Sequence, residues 1–254
     1  MKNFRPQQRP RKNTLVIGSQ AVVNAFREGI QLDRIYLDAR AAGPFVNDVK
    51  KMAQQQNVPV NYVPRAKLDG FNAGPHDGCI AQLARVKYYD LQQIISFTVE
   101  KGETPLLLIL DGITDIRNIG GIARTAWCCG VHAIIIPDKG VGALNEDAVL
   151  TSAGALEHIP VCRVNSLMKT VDDLHMNGIR VFATEMKAST RLSDAVLTVP
   201  AAIVMGSEDN GIYPALLKVC DERISIPMHG DFESLNVSVA TGMVLYEVMR
   251  QRGK

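Results

Sequence analysis

Polar side chains follow a short apolar strand near the end of the chain. Residues 224–228 form the predicted strand, and the loop after it brings Glu233, Ser234 and Asn236 to the first turn of a helix with apolar residues at helical spacing. A first helical turn has unpaired backbone N–H groups and a positive dipole end, so it can hold an anion or a polar ligand. Taken alone, this run is explained equally well by an ordinary capped helix with Ser234 as its N-cap.

Two earlier segments have the same design, an apolar strand that runs into a polar turn. Residues 106–127 place Asn118 in such a turn and Arg124 on the helix beyond it, and residues 201–213 place Glu208 in a turn bounded by glycines. In an open parallel sheet, ligands bind beyond the carboxyl ends of the strands. Three such turns in one sheet therefore predict one composite site.

Two parts of the chain must position these turns. Short strands and helices alternate up to about residue 86, which predicts a small α/β domain. A linking helix follows, because apolar residues recur at helical spacing up to Gly102. From residue 105, near-continuous apolar runs indicate a parallel sheet covered on both faces. The predicted strands are Leu15–Ile17, Arg34–Leu37, Val58–Tyr62, Cys79–Val86, Leu106–Asp111, Ala133–Pro137, Ile159–Val164, Ile179–Thr184, Ala201–Met205 and Arg223–Pro227.

Composition narrows the classes of protein to consider. With 254 residues, 46% hydrophobic content and a net charge of +2, the chain can bury a sizeable core and is not a polycation. Residues 1–13 are basic and predict a flexible arm that touches phosphates, although a solvated tail explains them nearly as well. No stretch reaches the ~20 apolar residues of a membrane span. The five cysteines, without a secretion signal, predict reduced thiols in a cytoplasmic protein, and no metal site is expected from their spacing.

The three polar segments resemble, in order, the three signature motifs of the SpoU/TrmH family of RNA ribose 2′-O-methyltransferases. The run Ser152–His158 is similar to the 23S ribosomal RNA guanosine methyltransferase branch. The resemblance implies an α/β fold in which an L30e-like RNA-binding domain over 14–87 and a linker helix over 88–104 precede a methyltransferase domain over 105–254. It also implies that this last domain is tied as a trefoil knot, a topology that general folding rules make very rare.

The resemblance implies S-adenosylmethionine as the cofactor. Residue by residue, the cofactor contacts fall on Thr184, Glu185, Met186, Gly206, Ile226 and Leu235. The first three are expected to line the adenosine side, Gly206 to allow a close backbone approach, and the last two to sandwich the adenine. Simple packing in the core would explain Ile226 and Leu235 equally well.

The catalytic cluster implied by the resemblance consists of Asn118, Arg124, Glu208, Ser234 and Asn236. A ribose 2′-hydroxyl is a poor nucleophile, so the enzyme must orient it and relieve it of its proton. Because a guanidinium stays protonated, Arg124 is expected to hold the phosphate of the target nucleotide and polarise the hydroxyl, while the proton leaves to a phosphate oxygen or water. Arg117 stands where many relatives have histidine and adds a cation beside the site.

The expected reaction is methyl transfer to a guanosine ribose of 23S ribosomal RNA. Three alternatives stay open: a transfer RNA methyltransferase of the same family, a catalytically silent RNA-binding assembly factor, and a nicotinamide-dependent dehydrogenase. The intact cluster argues against the silent factor. The missing Gly-x-Gly-x-x-Gly after the first strand of the sheet argues against the dehydrogenase.

Two kinds of partner are expected. Candidate RNA contacts outside the cluster are Arg65, Lys67, His76, Arg85 and Lys87, each of which is equally an ordinary surface charge. A homodimer is expected from the family, with Trp127, Met243, Tyr246 and Met249 supplying apolar surface. The same four side chains could instead fill the core of a monomer.

Overall fold

The structure is a computed structural model that describes residues 14–142, 144–229 and 234–253. These residues form two compact units, one that ends at Ala84 and one that begins at Arg85. The arm predicted over residues 1–13 lies outside the described residues. Each unit has its own sheet and its own apolar core.

The amino-terminal unit combines three helices with a mixed four-stranded sheet. Its elements are β1 (Leu15–Ile17), α1 (Ser19–Arg27), β2 (Leu32–Asp38), α2 (Pro44–Gln55), β3 (Val60–Val63), α3 (Arg65–Asp69) and β4 (Cys79–Leu83). The strand order is β1-β4-β2-β3, in which β2 and β3 run parallel and β4 runs antiparallel to both of its neighbours. Buried residues of α1, α2 and the sheet, such as Val22, Val49 and Ile35, form the core.

Helix α1 receives its cap from a distant part of the chain. Gly18 occupies the N-cap position and has no side chain to offer. The carboxylate of Asp77, 58 residues later, accepts hydrogen bonds from the backbone N–H and the hydroxyl of Ser19, at 2.9 Å and 2.7 Å. This long-range cap joins the loop before β4 to the start of α1.

The same loop contains His76, one of the predicted RNA contacts. The residue is only 4% exposed. The backbone N–H of Gly78 donates to Nδ1 at 3.1 Å, which leaves the ring proton on Nε2, and Nε2 donates to Asp69 at 3.0 Å. The prediction for His76 is therefore wrong, because the fold itself buries the imidazole and uses its hydrogen bonds. The side chains of Arg65 and Lys67 are exposed.

The carboxyl-terminal unit is a parallel α/β sheet with helices. Its elements are α4 (Leu91–Glu100), β5 (Leu106–Asp111), α5 (Ile116–Cys128), β6 (Ala133–Pro137), α6 (Glu146–Thr151), β7 (Val161–Val164), α7 (Leu167–Met176), β8 (Arg180–Thr184), β9 (Thr190–Arg191), β10 (Ala201–Gly206), α8 (Pro214–Val219), β11 (Glu222–Ser225) and α9 (Val237–Gln251). The strand order is β7-β6-β5-β10-β8-β11-β9, and every neighbouring pair runs parallel. The α/β fold with a parallel sheet is thus confirmed, whereas the trefoil knot and the L30e-like fold stay predictions.

Both faces of this sheet are buried, as the continuous apolar runs indicate. Within β5, Leu106, Leu108 and Leu110 belong to one apolar cluster, while Leu107 and Ile109 belong to the cluster on the other face. Successive side chains of a strand point to opposite faces, so a strand covered on both sides needs an apolar residue at every position.

The segment predicted as a linker helix is only partly helical. Helix α4 begins after Asp90, whose side chain accepts a hydrogen bond from the backbone N–H of Gln93 at 2.9 Å. Before it the chain is extended: Tyr88 pairs with Val161, and the N–H of Tyr89 donates to the carbonyl of Val161 at 2.9 Å. The free edge of β7 offers these hydrogen bonds, which periodicity within the segment does not show.

Arg252, directly after α9, binds the segments that precede β5 and β10. Its guanidinium donates to the backbone carbonyls of Leu197, Thr104, Pro105 and Val199, at distances between 2.6 and 3.2 Å. Partial burial lowers the pKa of Arg252, but a guanidinium stays charged at neutral pH. Helix α9 is therefore held at its carboxyl end by charge-assisted hydrogen bonds.

All five cysteines are free. Burial raises the pKa of the Cys79 and Cys162 thiols to about 12, so both stay protonated at neutral pH. Within the described residues, no three His, Cys, Asp or Glu side chains lie together as metal ligands, and no helix is long and apolar enough to cross a membrane.

Two adjacent glycines let neighbouring helices approach α5 closely. A Cβ atom at Gly120 would lie 2.7 Å from the side chain of Thr151, at the end of α6, and 2.9 Å from the backbone nitrogen of Ser152. A Cβ atom at Gly121 would lie 3.3 Å from Cβ of Ser238 on α9. The first position tolerates no side chain without movement of α6, while the second needs only a small adjustment.

We expect Gly120→Ala to lower the free energy of unfolding by about 1–3 kcal/mol, because the added methyl group overpacks the contact with α6. Gly121→Ala, the matched control, should change it by less than about 1 kcal/mol, since the higher helix propensity of alanine offsets the tighter contact. Calorimetric melting of both variants measures the difference. Equal melting temperatures would contradict the close packing at Gly120.

Candidate active site

One junction of side chains joins the three polar turns. Asn118 lies in the first turn of α5, Glu208 lies in the turn after β10, and Asn236 lies directly before α9. The Nδ2 atom of Asn236 donates to Oε1 of Glu208 at 2.6 Å and to Oδ1 of Asn118 at 2.9 Å, and Nδ2 of Asn118 donates to Oε1 of Glu208 at 3.2 Å. Three predicted site residues are therefore in direct contact.

Asn236, not Ser234, is the N-cap residue of α9. Its Oδ1 atom accepts hydrogen bonds from the backbone N–H groups of Ser238 and Val239, at 3.0 Å and 3.4 Å. Capping thus fixes the orientation of the amide, because Oδ1 points into the helix and Nδ2 must point towards Glu208 and Asn118. The alternative in which Ser234 caps the helix is wrong, since Ser234 lies two residues before the cap.

Glu208 is the acceptor on which the junction depends. Besides the two asparagine amides, Oε1 accepts the backbone N–H of Val237 at 3.2 Å. The carboxylate is exposed, so water still solvates its charge. This geometry is suited to holding the turn after β10 against the start of α9.

The turn after β10 closes on itself at Gly206. The backbones of Ser207 and Gly211 exchange two hydrogen bonds of 3.1 Å and 2.9 Å. A Cβ atom at Gly206 would lie 2.2 Å from the carbonyl carbon of Gly211 and 2.4 Å from the nitrogen of Ile212. Glycine is therefore required by the protein's own backbone, apart from any ligand that approaches it.

A pocket of about 410 Å³ lies at the carboxyl ends of β8, β10 and β11. The structure brings all six predicted cofactor residues to its wall, together with Glu208 and Ser234. Lining residues that the sequence did not single out include Lys187, Met205, Ser207, Asp209, Ile212, Leu217 and Met228. Most of these residues are next to predicted site residues in the sequence. They could therefore have been predicted from their position beside the polar turns.

The strand ends beside the pocket are held by local hydrogen bonds. The hydroxyl of Thr184 donates to the carbonyl of Val204 at 2.9 Å, and the backbone N–H of Glu185 donates to the carbonyl of Ile224 at 2.9 Å. The carboxylate of Glu185 lies 3.4 Å from the guanidinium of Arg223. The pocket therefore has fixed strand ends and a mixed lining, in which apolar side chains lie beside charged groups such as Glu185, Lys187 and Glu208.

Two predicted catalytic residues lie outside the junction: Ser234, which lines the pocket, and Arg124, which does not. Arg124 is exposed on α5, it is not among the described residues that line the pocket, and it has no hydrogen bond or ion pair with another described residue. Six residues separate it from Asn118, about one and two-thirds helical turns, so the two side chains leave α5 on different faces.

Comparison with known proteins identifies the family. Residues 105–246 match the model of the SpoU rRNA Methylase family, and residues 15–89 match the model described as RNA 2′-O ribose methyltransferase substrate binding. The chain belongs to the SpoU/TrmH family of RNA 2′-O-ribose methyltransferases. The match to the SpoU rRNA Methylase family includes the whole Asn118–Glu208–Asn236 junction and every residue that lines the pocket.

Several SpoU/TrmH proteins resemble the chain over most of its length. A Bacillus subtilis (strain 168) protein named as a TrmH family tRNA/rRNA methyltransferase, YacO, is 37% identical over 93% of this chain and 95% of its own. The crystal structure of the SpoU methyltransferase AviRb from Streptomyces viridochromogenes, in complex with AdoMet, is 26% identical, with a TM-score of 0.59 over 94% of this chain and 90% of that one. The A. aeolicus TrmH/SpoU tRNA modifying enzyme is 28% identical, with a TM-score of 0.53 over 64% of this chain and 84% of that one.

Replacing Gly206 by alanine should distort the pocket wall of this SpoU/TrmH protein, because the added methyl group collides with rigid backbone. We expect the free energy of unfolding to fall by about 1–3 kcal/mol. Asp209→Ala, an exposed substitution in the same turn, should leave it within about 0.5 kcal/mol of the unchanged protein. Thermal unfolding of the two variants side by side checks this, and an unaltered melting temperature for Gly206→Ala would contradict the backbone contact.

Proposed function

We propose that this RNA 2′-O-ribose methyltransferase modifies a guanosine ribose of 23S ribosomal RNA, with Asn118, Arg124, Glu208, Ser234 and Asn236 as its catalytic cluster. The observation that carries the site assignment is the junction of Asn118, Glu208 and Asn236 beside a pocket lined by Glu208 and Ser234. The pocket proposed to hold the cofactor and this set of amide and carboxylate groups lie at the same edge of the sheet.

The pocket fits S-adenosylmethionine, the methyl donor of the family. Its volume of about 410 Å³ is in the range that small-molecule sites have. Ile226 and Leu235 supply apolar surface for an adenine ring, and the partly exposed Glu185 offers a carboxylate to hydroxyl groups or to a cationic ligand. The bound cofactor supplies a methyl group already activated by its sulfonium.

The residues of the chain must orient the ribose and assist the loss of its 2′-hydroxyl proton near the junction. The Nδ2 and Oδ1 atoms of Asn118 are both engaged within the junction, so Asn118 fixes the turns around the ribose. Arg124 is exposed, and a guanidinium offers paired N–H donors to an oxyanion, which suits it to hold the phosphate of the target nucleotide and polarise the 2′-hydroxyl. The proton then leaves to a phosphate oxygen or to water. Ser234 lies at the pocket, where it contacts the hydroxyl or the cofactor.

The proposed substrate rests on the amino-terminal part of the chain. Residues 15–89 match a substrate-binding model of RNA 2′-O ribose methyltransferases, and the run Ser152–His158 resembles the ribosomal branch. A transfer RNA target is the second candidate, because the A. aeolicus relative is described as a tRNA modifying enzyme. We also propose that the protein acts in the cytoplasm.

A deletion strain tests the substrate and the cluster together. Mapping 2′-O-methyl groups in its RNA should show one guanosine of 23S ribosomal RNA unmodified, and the intact gene should restore the methyl group.

Asn118→Ala and Arg124→Ala should each reduce methyl transfer by about 10²–10⁴-fold, because each removes a positioned polar group. Loss of methylation only from transfer RNA would move the proposal to the second candidate, and near-normal turnover in either variant would refute its catalytic role.

We further propose a homodimer formed through α9 and the end of α5. Of the four predicted side chains, Trp127, Met243 and Tyr246 are 48%, 46% and 66% exposed, whereas Met249 is half-buried. Val239, one turn before Met243 on α9, is 52% exposed. The exposed side chains of this set do not fill the core of the monomer. Exposed apolar side chains at this spacing on a helix are suited to a self-complementary contact.

The oligomeric state is measured by light scattering at micromolar concentration. The unchanged protein should show twice its monomer mass of 27.8 kDa. Tyr246→Glu should shift the mass towards the monomer, because it places a charge in the apolar contact. Phe97→Glu is the matched control, since Phe97 is 56% exposed on α4, outside this face, and should leave the dimer intact. A monomeric unchanged protein would rule the proposal out.

A further inference from the structure

We propose that Arg117 binds a backbone phosphate of the RNA substrate next to the nucleotide that is methylated. The proposal rests on the function proposed above and assigns a second cation to the same site. Arg117 precedes Asn118 in the first turn of α5, so its backbone borders the junction, while its side chain leaves the helix about 100° away from that of Asn118. Its side chain is 84% exposed, which leaves it open to a ligand as large as RNA.

The guanidinium of Arg117 is already oriented by the protein. Asp115, the N-cap residue of α5, accepts the backbone N–H of Arg117 at 2.8 Å. The same carboxylate accepts Nε of Arg117 at 3.3 Å and Nη2 at 3.0 Å. One residue thus caps the helix and fixes the direction of the arginine, so little side-chain freedom is left to lose when a ligand binds.

This arrangement uses one edge of the guanidinium and leaves the other free. The planar group has five N–H donors and two edges that can hold an oxyanion through paired hydrogen bonds. The edge formed by Nε and Nη2 faces Asp115, and no described residue accepts a hydrogen bond from Nη1. The edge formed by Nη1 and Nη2 therefore matches the two oxygens of a phosphodiester.

The placement of Arg117 relative to Arg124 supports an RNA backbone as the ligand. The two arginines are seven residues apart on α5, which puts them on the same face of the helix about 10 Å apart along its axis. Gly121 lies between them, where the first turn of α9 packs on α5 through Ser238, so a bound strand would pass over this turn of α9. Arg124 is proposed to hold the phosphate of the target nucleotide, so Arg117 is placed to hold a neighbouring phosphate of the same strand.

The test compares Arg117→Gln with Arg117→Lys in the full chain, using transcribed 23S ribosomal RNA as the probe. Arg117→Gln should raise KM for the RNA about tenfold, with kcat and the calorimetric Kd for S-adenosylmethionine unchanged. The slope of log affinity against log salt should fall by about 0.7, the value for one phosphate contact to a single strand. Arg117→Lys should restore the salt slope, because it keeps the charge, but only part of the affinity, because it loses the paired hydrogen bonds.

Arg250→Gln is the matched control. Arg250 makes the same kind of pair, through Nε and Nη2, with the carboxylate of Glu247 at 2.8 Å and 2.7 Å. It lies fourteen residues after the cap of α9, about 21 Å from the junction along the helix. The control should leave KM and the salt slope unchanged.

The outcomes separate this inference from the proposed function. If the unchanged protein methylates the RNA and Arg117→Gln has the same KM and salt slope, the inference is wrong and Asp115 and Arg117 form only a surface ion pair. An equal change in Arg250→Gln would also overturn it, because a general loss of positive charge would then explain the result. If the unchanged protein methylates neither ribosomal nor transfer RNA, the proposed function itself fails.

Discussion

A single carboxylate oxygen joins three segments that are distant in the sequence. Oε1 of Glu208 accepts hydrogen bonds from Asn118, from Asn236 and from the backbone of Val237, across 90, 28 and 29 residues of chain. The contact is possible because β5 and β10 are parallel neighbours, so the turns that follow them emerge at one edge of the sheet. An exposed carboxylate keeps much of its hydration, so the junction positions groups at modest cost in stability.

The sheet and its site edge could be predicted from the sequence because both depend on local patterns. Continuous apolar runs gave β5 and β6 with the bounds that the structure shows. A strand covered on both faces has few alternatives to such a run. The pocket followed from the same logic, since polar residues directly after buried strands gather where parallel strands end. Thr184, Gly206 and Ile226 were predicted from the family resemblance, and the structure brings all three to the wall of this pocket.

Features that depend on distant partners could not be predicted. No residue next to Gly18 in the sequence indicates that Asp77 caps α1. Nothing in the sequence around His76 distinguishes it from an exposed polar residue, although the fold buries it. Strand β9 has two residues, too few for any periodic pattern. Gly206 was expected to be glycine for the sake of a ligand, whereas the clash with Gly211 shows a requirement of the fold itself. Choosing between Ser234 and Asn236 as the cap likewise required the geometry of the amide.

Helix α9 is fixed at both ends by polar groups of different kinds. Asn236 holds its beginning to the junction, and Arg252, just past its end, holds four carbonyls at the opposite edge of the sheet. If a ligand binds only the form in which α9 is seated, opening of the helix at either end and ligand binding are linked equilibria that oppose each other. Such a ligand would suppress the open forms, so we expect protection of backbone amides from hydrogen exchange to extend from the pocket to the carboxyl end of the helix. Occupancy of the pocket would then reach the far end of α9 as added local stability, with no change of conformation required.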